Sequence, residues 1–313
     1  MLYIEAIKKY SILIRKSANK MKKNWMSTKY LAVFFILTLA WTWICGFIPV
    51  IFGFTETGIG TFVFYFGGGA PSVVALFLVF LTYPKDKKKD YFRRCFSLKH
   101  AGWKWPLITA AIFTTLSVIS IAVGVGMLGF EMPTMDYIKA IKVNPLNILL
   151  ILLLSLISGP LNEEFGWRGY ALDRLLLKFG FLKGSLILGF IWAIWHLPWY
   201  FTPGQAQYNL LRDSVFHAVM FVPSVMMLSV FVSFVYIKTK RSILAGALVH
   251  MFSNLIGSQL LSSYTTDMSM LIRYTNMAFF FGVIIYTTCS RKFKKEVDDV
   301  ICNINSYTTT KSA

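Results

Sequence analysis

The chain has 313 residues, of which 56% are hydrophobic, 17% aromatic and only 15% charged, and its formal net charge is +18. This composition excludes a disordered, fibrous or ordinary soluble protein, because a soluble domain carries about a quarter charged residues. Apolar runs as long as 31–54 indicate that a lipid bilayer is the solvent.

Eight segments are apolar enough to cross a bilayer, which takes about 20 residues. The sequence therefore predicts an all-α, polytopic membrane protein with about eight transmembrane helices. It divides into a basic segment 1–29, which can form an amphipathic helix on the membrane surface, an integral membrane domain 30–290 and a tail 291–313. The approximate limits of the eight spans are 30–53, 60–83, 105–129, 146–166, 184–202, 215–237, 242–263 and 271–290.

Basic residues are concentrated in alternate connections between these spans. All but four of the 32 lysines and arginines lie there, the exceptions being Lys139, Lys142, Arg212 and Arg273. Since positive residues are retained on the inner side, both termini are predicted to be cytoplasmic, in a multi-pass protein of the cell membrane. The charge is spread over juxtamembrane loops, so we expect anionic lipids as partners and no nucleic acid.

Ionisable side chains inside the spans are the first indication of chemistry, because they are costly in lipid. Glu163 and Glu164 follow each other near the end of span four. Neighbours on a helix point about 100° apart, so the two carboxylates are expected to have different functions. Glu164 and Arg168 share a face and can form an ion pair, which leaves Glu163 unpaired.

Two further pairs have the spacing of one helical turn. Trp192 and His196 lie in span five, and His250 and Asn254 lie in span seven. Each pair also has a structural interpretation, a packed histidine in the first case and a polar clamp between helices in the second. Counting from the predicted ends places His250 about 12 Å deep and Glu163 near the interface, unless the fourth helix continues past Trp167.

Together the three groups favour hydrolysis. Glu163 can act as the base that activates water, with His196 sharing the proton, while His250 and Asn254 bind the oxyanion. Glu164, Arg168 and Trp192 would support them. Glu163, His196 and His250 also resemble a zinc ligand set, but the HExxH spacing is missing. We therefore expect no required cofactor, with a divalent metal such as zinc as the alternative.

These strings resemble a known family. Glu163-Glu164-x-x-x-Arg168, Trp192-x-x-x-His196 and His250-x-x-x-Asn254, in this order, are similar to the CPBP family of CAAX proteases and bacteriocin-processing or immunity proteins, also called Abi. The resemblance covers about residues 146–260. Trp192 stands where phenylalanine is common in the family.

The resemblance implies an intramembrane endopeptidase with an eight-helix fold, in which Glu163 and His196 activate water near the cytoplasmic face. His250 and Asn254 would form the oxyanion side, and Glu164 with Arg168 would support the site. The implied substrate is a peptide or membrane-protein segment, such as a prenylated tail or a leader peptide. Two alternatives remain at this point: a non-catalytic immunity or scaffold protein, and a transporter that uses the same polar residues as a proton relay.

Overall fold

The structure is a computed structural model that describes residues 25–256 and 266–309, and these residues contain helices and no strand. The predicted amphipathic helix in segment 1–29 lies almost entirely outside the described residues. In chain order the α-helices are α1 Thr28–Ile51, α2 Gly58–Gly68, α3 Ala70–Thr82, α4 Lys85–Phe96, α5 Leu98–Ala101, α6 Lys104–Met127, α7 Asp136–Val143, α8 Asn147–Ile157, α9 Pro160–Gly166, α10 Asp173–Phe179, α11 Phe181–Trp195, α12 Ala206–Asp213, α13 Val215–Lys238, α14 Ile243–Asn254, α15 Thr266–Cys289 and α16 Arg291–Thr309.

The all-α, polytopic fold is confirmed, while the number of spans differs from the prediction. In the described residues six helical segments can cross a membrane, or seven if α2 and α3, bent by 49°, form one span. Predicted span 242–263 is represented by the shorter apolar helix α14, and its last residues lie outside the described part of the chain. The cytoplasmic location of the termini stays a prediction.

The fourth span continues well past its predicted end at residue 166. After α9 a π-helical turn, Trp167–Leu172, leads directly into α10, so the helical segment reaches Phe179. All six residues of the π-helical turn are buried. π-Helical turns are rare and occur often at functional sites. The predicted end of the span at residue 166 was therefore wrong, since 16 more residues, about 24 Å of helix, follow Glu163.

Close backbone contact holds α9 in the middle of the bundle. A Cβ atom on Gly166 would lie 2.4 Å from the carbonyl oxygen of Pro71 in α3, so only glycine allows this approach. The Ser72 hydroxyl donates to the Leu161 carbonyl at 2.7 Å, and the Tyr91 hydroxyl donates to the Phe165 carbonyl at 2.8 Å. These contacts fix the helix that carries the two glutamates.

A buried charge cluster fixes the other helices at the same end of the bundle. Asp173 accepts hydrogen bonds from Arg241 and from the Tyr236 hydroxyl, and Arg94 lies 3.6 Å away. Burial opposes the charge of Arg241, but the carboxylate of Asp173 raises the pKa of Arg241 above its usual value. Lys240 and Arg241 adopt positive φ angles of 50° and 72°, which form the tight turn before α14.

The charge cluster around Asp173 is a common reference point from which the positions of Glu163 and His250 along their helices can be compared. Glu163 lies ten residues before Asp173, about 15 Å, and His250 lies nine residues after Arg241, about 13 Å. The extension of the fourth span therefore brings the glutamate and the histidine to a similar level.

Candidate active site

Glu163 is a buried carboxylate held by two indole groups. Its Oε2 atom accepts a hydrogen bond from Nε1 of Trp192 at 2.5 Å and from Nε1 of Trp167 at 3.3 Å. Trp192 comes from α11, whereas Trp167 begins the π-helical turn on the same segment as Glu163. Both donors are neutral and both contact the same oxygen, so the other oxygen, Oε1, is directed elsewhere.

That second oxygen lies beside Gly159, the residue between α8 and α9, and we call the position that a side chain on Gly159 would take the gap. A Cβ atom on Gly159 would lie 3.3 Å from Oε1 of Glu163 and 3.8 Å from Nδ2 of Asn254. The carboxylate and the carboxamide therefore both approach one point that no side chain fills. This gap places a proton acceptor next to a hydrogen-bond donor, which is the arrangement that hydrolysis through an oxyanion requires.

Glu164 has a different environment, as the 100° rotation between neighbours predicts. It is completely buried, and its Oε1 accepts from Nη1 of Arg168 at 2.8 Å and contacts Nδ1 of His250 at 3.0 Å. The predicted pair of Glu164 and Arg168 is present. The contact with His250 was not predicted, because no local pattern indicates that span seven meets Glu164. The guanidinium of Arg168 also stacks 4.7 Å from the Trp192 ring.

His250 and Asn254 share one face of α14, as their spacing predicts. The His250 ring packs edge-on against Trp192, with ring centroids 4.9 Å apart. A carboxylate oxygen only accepts hydrogen bonds, so the Nδ1 atom of His250 carries the hydrogen that faces Glu164. Trp192 thus contacts Glu163, Arg168 and His250 and joins the predicted residues into one cluster.

His196 lies directly after α11, where the chain turns into a 3-10 helix at Leu197–Phe201. Its Nδ1 atom is 2.8 Å from the Trp192 carbonyl, which can only accept, so Nδ1 carries the hydrogen and Nε2 has a free lone pair. The ring packs against Trp195, Trp199 and Phe221 at centroid distances of 4.6, 5.3 and 5.2 Å. His196 is thus oriented with one basic nitrogen available.

The alternative metal site would use Glu163, His196 and His250 as ligands. Within residues 25–256 and 266–309, no group of three His, Cys, Asp or Glu side chains is placed to hold a metal ion. Glu163, His196 and His250 approach one another through Trp192 rather than around a common centre, and His250 directs Nδ1 to Glu164. The residues present do not fit a three-ligand metal, and we derive no step through one.

Two parts of this site, Trp167 and Gly159, were not predicted from the sequence. Trp167 was not selected, although its place four residues after Glu163 puts it on the same helix face. Gly159 precedes Pro160 at a helix start, a pattern that predicts only a break in the helix. Its closeness to Asn254 depends on how α9 and α14 pack, which no local pattern encodes.

Fold and site together define a multi-pass membrane protein with a buried, polar site built from three of its helical segments. Comparison with known proteins finds similarity to proteases. Residues 145–256 match the sequence profile of the Rce1-like family, described as type II CAAX prenyl endopeptidase Rce1-like. The chain is also 25% identical over 237 residues to CAAX prenyl protease 2 of Methanococcus maripaludis, a match that covers 75% of this chain and 86% of that protein.

The matched segment contains all three motifs, from Glu163 to Asn254. These findings confirm the resemblance to a CPBP-family intramembrane protease. The family and the archaeal protein that the chain is similar to are both described as proteases.

Proposed function

We propose that this protein is an intramembrane endopeptidase in which Glu163 activates the attacking water. One observation carries the proposal: Oε2 of Glu163 is held by two indole groups, while Oε1 faces the gap that Asn254 also borders. A carboxylate fixed through one oxygen presents the other in a constant direction, which is what a general base requires. The site needs no cofactor in this mechanism.

The proposed steps assign one role to each of these side chains. Water in the gap beside Gly159 gives a proton to Glu163, with Nε2 of His196 as a second acceptor for that water, and its oxygen attacks the peptide carbonyl carbon. The carbonyl oxygen becomes an oxyanion, which accepts a hydrogen bond from Nδ2 of Asn254; a second bond from the His250 ring would require a hydrogen on Nε2 as well, because the Nδ1 hydrogen faces Glu164. The C–N bond then breaks, and the proton on Glu163 passes to the leaving amine.

Glu164 and Arg168 would hold His250 in position rather than react. The carboxylate of Glu164 contacts both side chains, and it is completely buried. This contact orients the His250 ring toward Trp192 and fixes its tautomer. Trp192 supports the site in a similar way, through its hydrogen bond to Glu163 and its stacking on Arg168.

The substrate we propose is a peptide, or the terminal segment of a membrane-associated protein, that reaches the site within the bilayer. The name of the matching family, CAAX prenyl endopeptidase, and that of the archaeal relative support a prenylated tail as one such substrate. A leader peptide is the alternative substrate. The buried depth of Glu163 favours a substrate with an apolar segment or lipid, because such a molecule partitions into the membrane.

We propose anionic lipids as further partners, at the end of the bundle where Lys178 and Lys183 lie. Lys178 and Lys183 lie 5.0 and 5.6 Å from the Phe179 ring, beside an apolar groove of about 600 Å³. Two cations next to an apolar groove are typical of binding to a negatively charged headgroup and its acyl chain. The groove is lined by Phe179, Leu182, Lys183, Leu186, Ile187, Phe190 and Met226.

The test is cleavage by purified protein in detergent. Wild type and Glu163→Gln are each incubated with quenched peptides that include farnesylated CAAX forms, with and without a chelator. We expect cleavage by wild type, resistance to the chelator, and a loss of at least about 100-fold in Glu163→Gln. Cleavage by Glu163→Gln at the wild-type rate would refute the role of Glu163, and loss of activity on chelation would replace it with a metal mechanism.

Glu56→Gln is the matched control, since Glu56 is an exposed glutamate between α1 and α2. The same variants separate the peptidase from a non-catalytic immunity or scaffold protein. A scaffold would keep its biological effect in Glu163→Gln, whereas the peptidase would lose it at unchanged protein levels.

A further inference from the structure

Residues 85–104 form a basic strap that connects span α3 to span α6. The strap contains the helices α4 and α5 and the residues that lead into α6. Eight of its 20 residues are lysine or arginine, and only two are acidic. Three large apolar side chains of the strap, Phe96, Leu98 and Trp103, are 60–76% exposed. Cations beside exposed apolar and aromatic side chains are typical of a segment that lies in the headgroup region of a bilayer.

One face of α4 is continuous with the lipid-facing surface of α3. Lys85, Lys89 and Phe96 are exposed and have the spacing of a single helix face. Beside them, Nζ of Lys88 donates to the Phe80 carbonyl at 2.7 Å and lies 5.3 Å from the centre of the Phe80 ring. Phe80 is an exposed aromatic residue near the end of α3. The basic face of α4 therefore begins where the apolar surface of the span ends.

The opposite face of α4 contacts the helical segment that carries the two glutamates. The Tyr91 hydroxyl donates to the Phe165 carbonyl of α9 at 2.8 Å, two residues after Glu163. The Tyr91 ring also packs on Gly169 in the π-helical turn, where a Cβ atom would lie 2.9 Å from the ring. A displacement of α4 would therefore displace the backbone that positions Glu163.

Two further contacts connect the strap to α14, the helix that carries His250. Nε2 of His100 in α5 lies 3.0 Å from the Lys240 carbonyl, which can only accept, so the ring donates to the turn before α14. Arg94 in α4 donates at 2.8 Å to the Tyr236 hydroxyl, a member of the buried charge cluster at the same turn. The strap thus contacts α9 directly and α14 through the turn at which it begins.

We infer that the strap binds the headgroups of anionic phospholipids and that this binding raises the activity of the site. Phospholipid is the occupant that fits, because its phosphate is complementary to the exposed cations and its acyl chains are complementary to the exposed apolar side chains. Bound headgroups hold α4 and α5 in place, and with them α9 and α14. The inference rests on the proposed function and adds regulation of that site by membrane composition. The strap is formed by different residues from the groove beside Lys178 and Lys183.

The experiment measures peptide cleavage by the full-length protein in nanodiscs of phosphatidylcholine, with and without phosphatidylglycerol. Wild-type kcat/KM should be about 5-fold higher or more with phosphatidylglycerol, the usual size of the coupling between two sites. The double variant Lys85→Gln/Lys89→Gln should lose this activation, because each lysine at a membrane surface contributes about 5-fold to the binding of anionic lipid. Added salt should weaken the activation of wild type, because it screens the attraction.

Lys139→Gln/Lys142→Gln is the matched control, since both lysines are exposed on another short helix, α7. It should keep the wild-type activation. Tyr91→Phe retains the charges of the strap but removes its hydrogen bond to α9, so it should lower the activation without changing lipid binding. Lipid binding is measured without turnover, in Glu163→Gln, as quenching of Trp103 fluorescence by brominated phosphatidylglycerol. The same measurement with Trp103→Phe added isolates the signal of this residue.

The outcomes separate this inference from the proposed function. Equal wild-type activity in both lipids, with loss of activity in Glu163→Gln, would overturn the inference and leave the peptidase intact. Absence of cleavage in both lipids, with Trp103 quenched selectively by phosphatidylglycerol, would refute the proposed function and retain the lipid site.

Two further results would assign the effect elsewhere and overturn the inference. Activation that persists in Lys85→Gln/Lys89→Gln but disappears in Lys178→Gln/Lys183→Gln would place the lipid in the groove. Equal quenching of Trp103 by brominated phosphatidylcholine and phosphatidylglycerol would show that the strap does not select anionic lipid, and an acidic soluble partner would then be the occupant to test.

Discussion

Gly159→Ala tests whether the gap between Glu163 and Asn254 is where water and the substrate carbonyl react. The added methyl group would lie 3.3 Å from Oε1 of Glu163 and 3.8 Å from Nδ2 of Asn254. A hydrogen-bonded water would need to lie at about 2.7–3.0 Å from the same oxygen. The methyl group and the water therefore compete for one position, and the carboxylate can move only by a few tenths of an ångström because Trp192 holds its other oxygen.

The magnitude follows from the loss of that water. Displacing the nucleophile by about 1 Å costs on the order of 100-fold in rate, which corresponds to about 2.7 kcal/mol of activation free energy. We expect kcat to fall by this factor with little change in KM, since the substitution adds one methyl group and removes no side chain that could bind the peptide. The assay is cleavage of the quenched peptide under saturating conditions, together with the Tm of the same sample in detergent.

Gly126→Ala is the matched control, because a Cβ atom on Gly126 meets nothing within 4 Å in span α6. It should change neither kcat nor KM, and its Tm should rise slightly if at all. A Gly159→Ala protein with normal Tm and wild-type kcat would refute the assignment of the gap as the reaction site. A fall in kcat that is matched by Gly126→Ala would indicate a general effect of added methyl groups in the spans.

Three other substitutions test the charges around the site and one titrating group. Glu164→Gln leaves Arg168 buried without a carboxylate, so we expect a loss of about 3–5 kcal/mol of stability, seen as a lower Tm in detergent. Asp173→Asn should lower Tm similarly and also kcat, because Arg241 then no longer fixes the start of α14. Burial, and to a smaller extent the charges of nearby arginines, lower the pKa of His100 below its ordinary value of 6.5. The neutral ring is therefore favoured in the folded protein. Stability from this group is complete above pH 6.5 and is lost as the pH falls below it, and His100→Gln should remove that part of the decrease in Tm.

Controls for these variants come from exposed positions. Glu56→Gln removes an exposed glutamate and should leave Tm unchanged. An equal decrease of Tm in Glu56→Gln and Glu164→Gln would contradict the importance of the buried pair. Asp173→Asn with wild-type kcat would show that α14 keeps its position without the charge cluster. A pH profile of Tm that is the same in wild type and His100→Gln would remove His100 as the titrating group.

Much of the fold was predictable because hydropathy and helical spacing are local properties. Predicted span 215–237 agrees with Val215–Lys238, and the pair of Glu164 and Arg168 occurs as its spacing indicates. The end of the fourth span was not predictable in this way. Arg168, Asp173 and Arg174 interrupt the apolar pattern. Arg168 pairs with Glu164 one turn earlier, whereas Asp173 and Arg174 are accepted in the helix because distant residues pair with them. A hydropathy scale includes the unfavourable transfer free energy of these charged residues but not the interactions with their partners.

The site shows the same division between local and tertiary information. The three motifs identified the residues, and the family resemblance extended to roles for them. The contact between His250 and Glu164, across 86 positions of sequence, and the approach of Asn254 to Gly159 depend on how α9 packs against α14.

The two adjacent glutamates have environments that favour separate functions. A general base must reach a proton on water, so it needs one oxygen that faces an unfilled space. Glu164 does not meet this condition, because Arg168 and His250 occupy one oxygen and the other is shielded from solvent. Glu163 does meet it, because both indole donors contact a single oxygen and the gap at Gly159 adjoins the other. Exchanging the two carboxylates is therefore impossible without rotating the helix by about 100°, and we expect Glu163→Gln to remove catalysis while Glu164→Gln mainly removes stability.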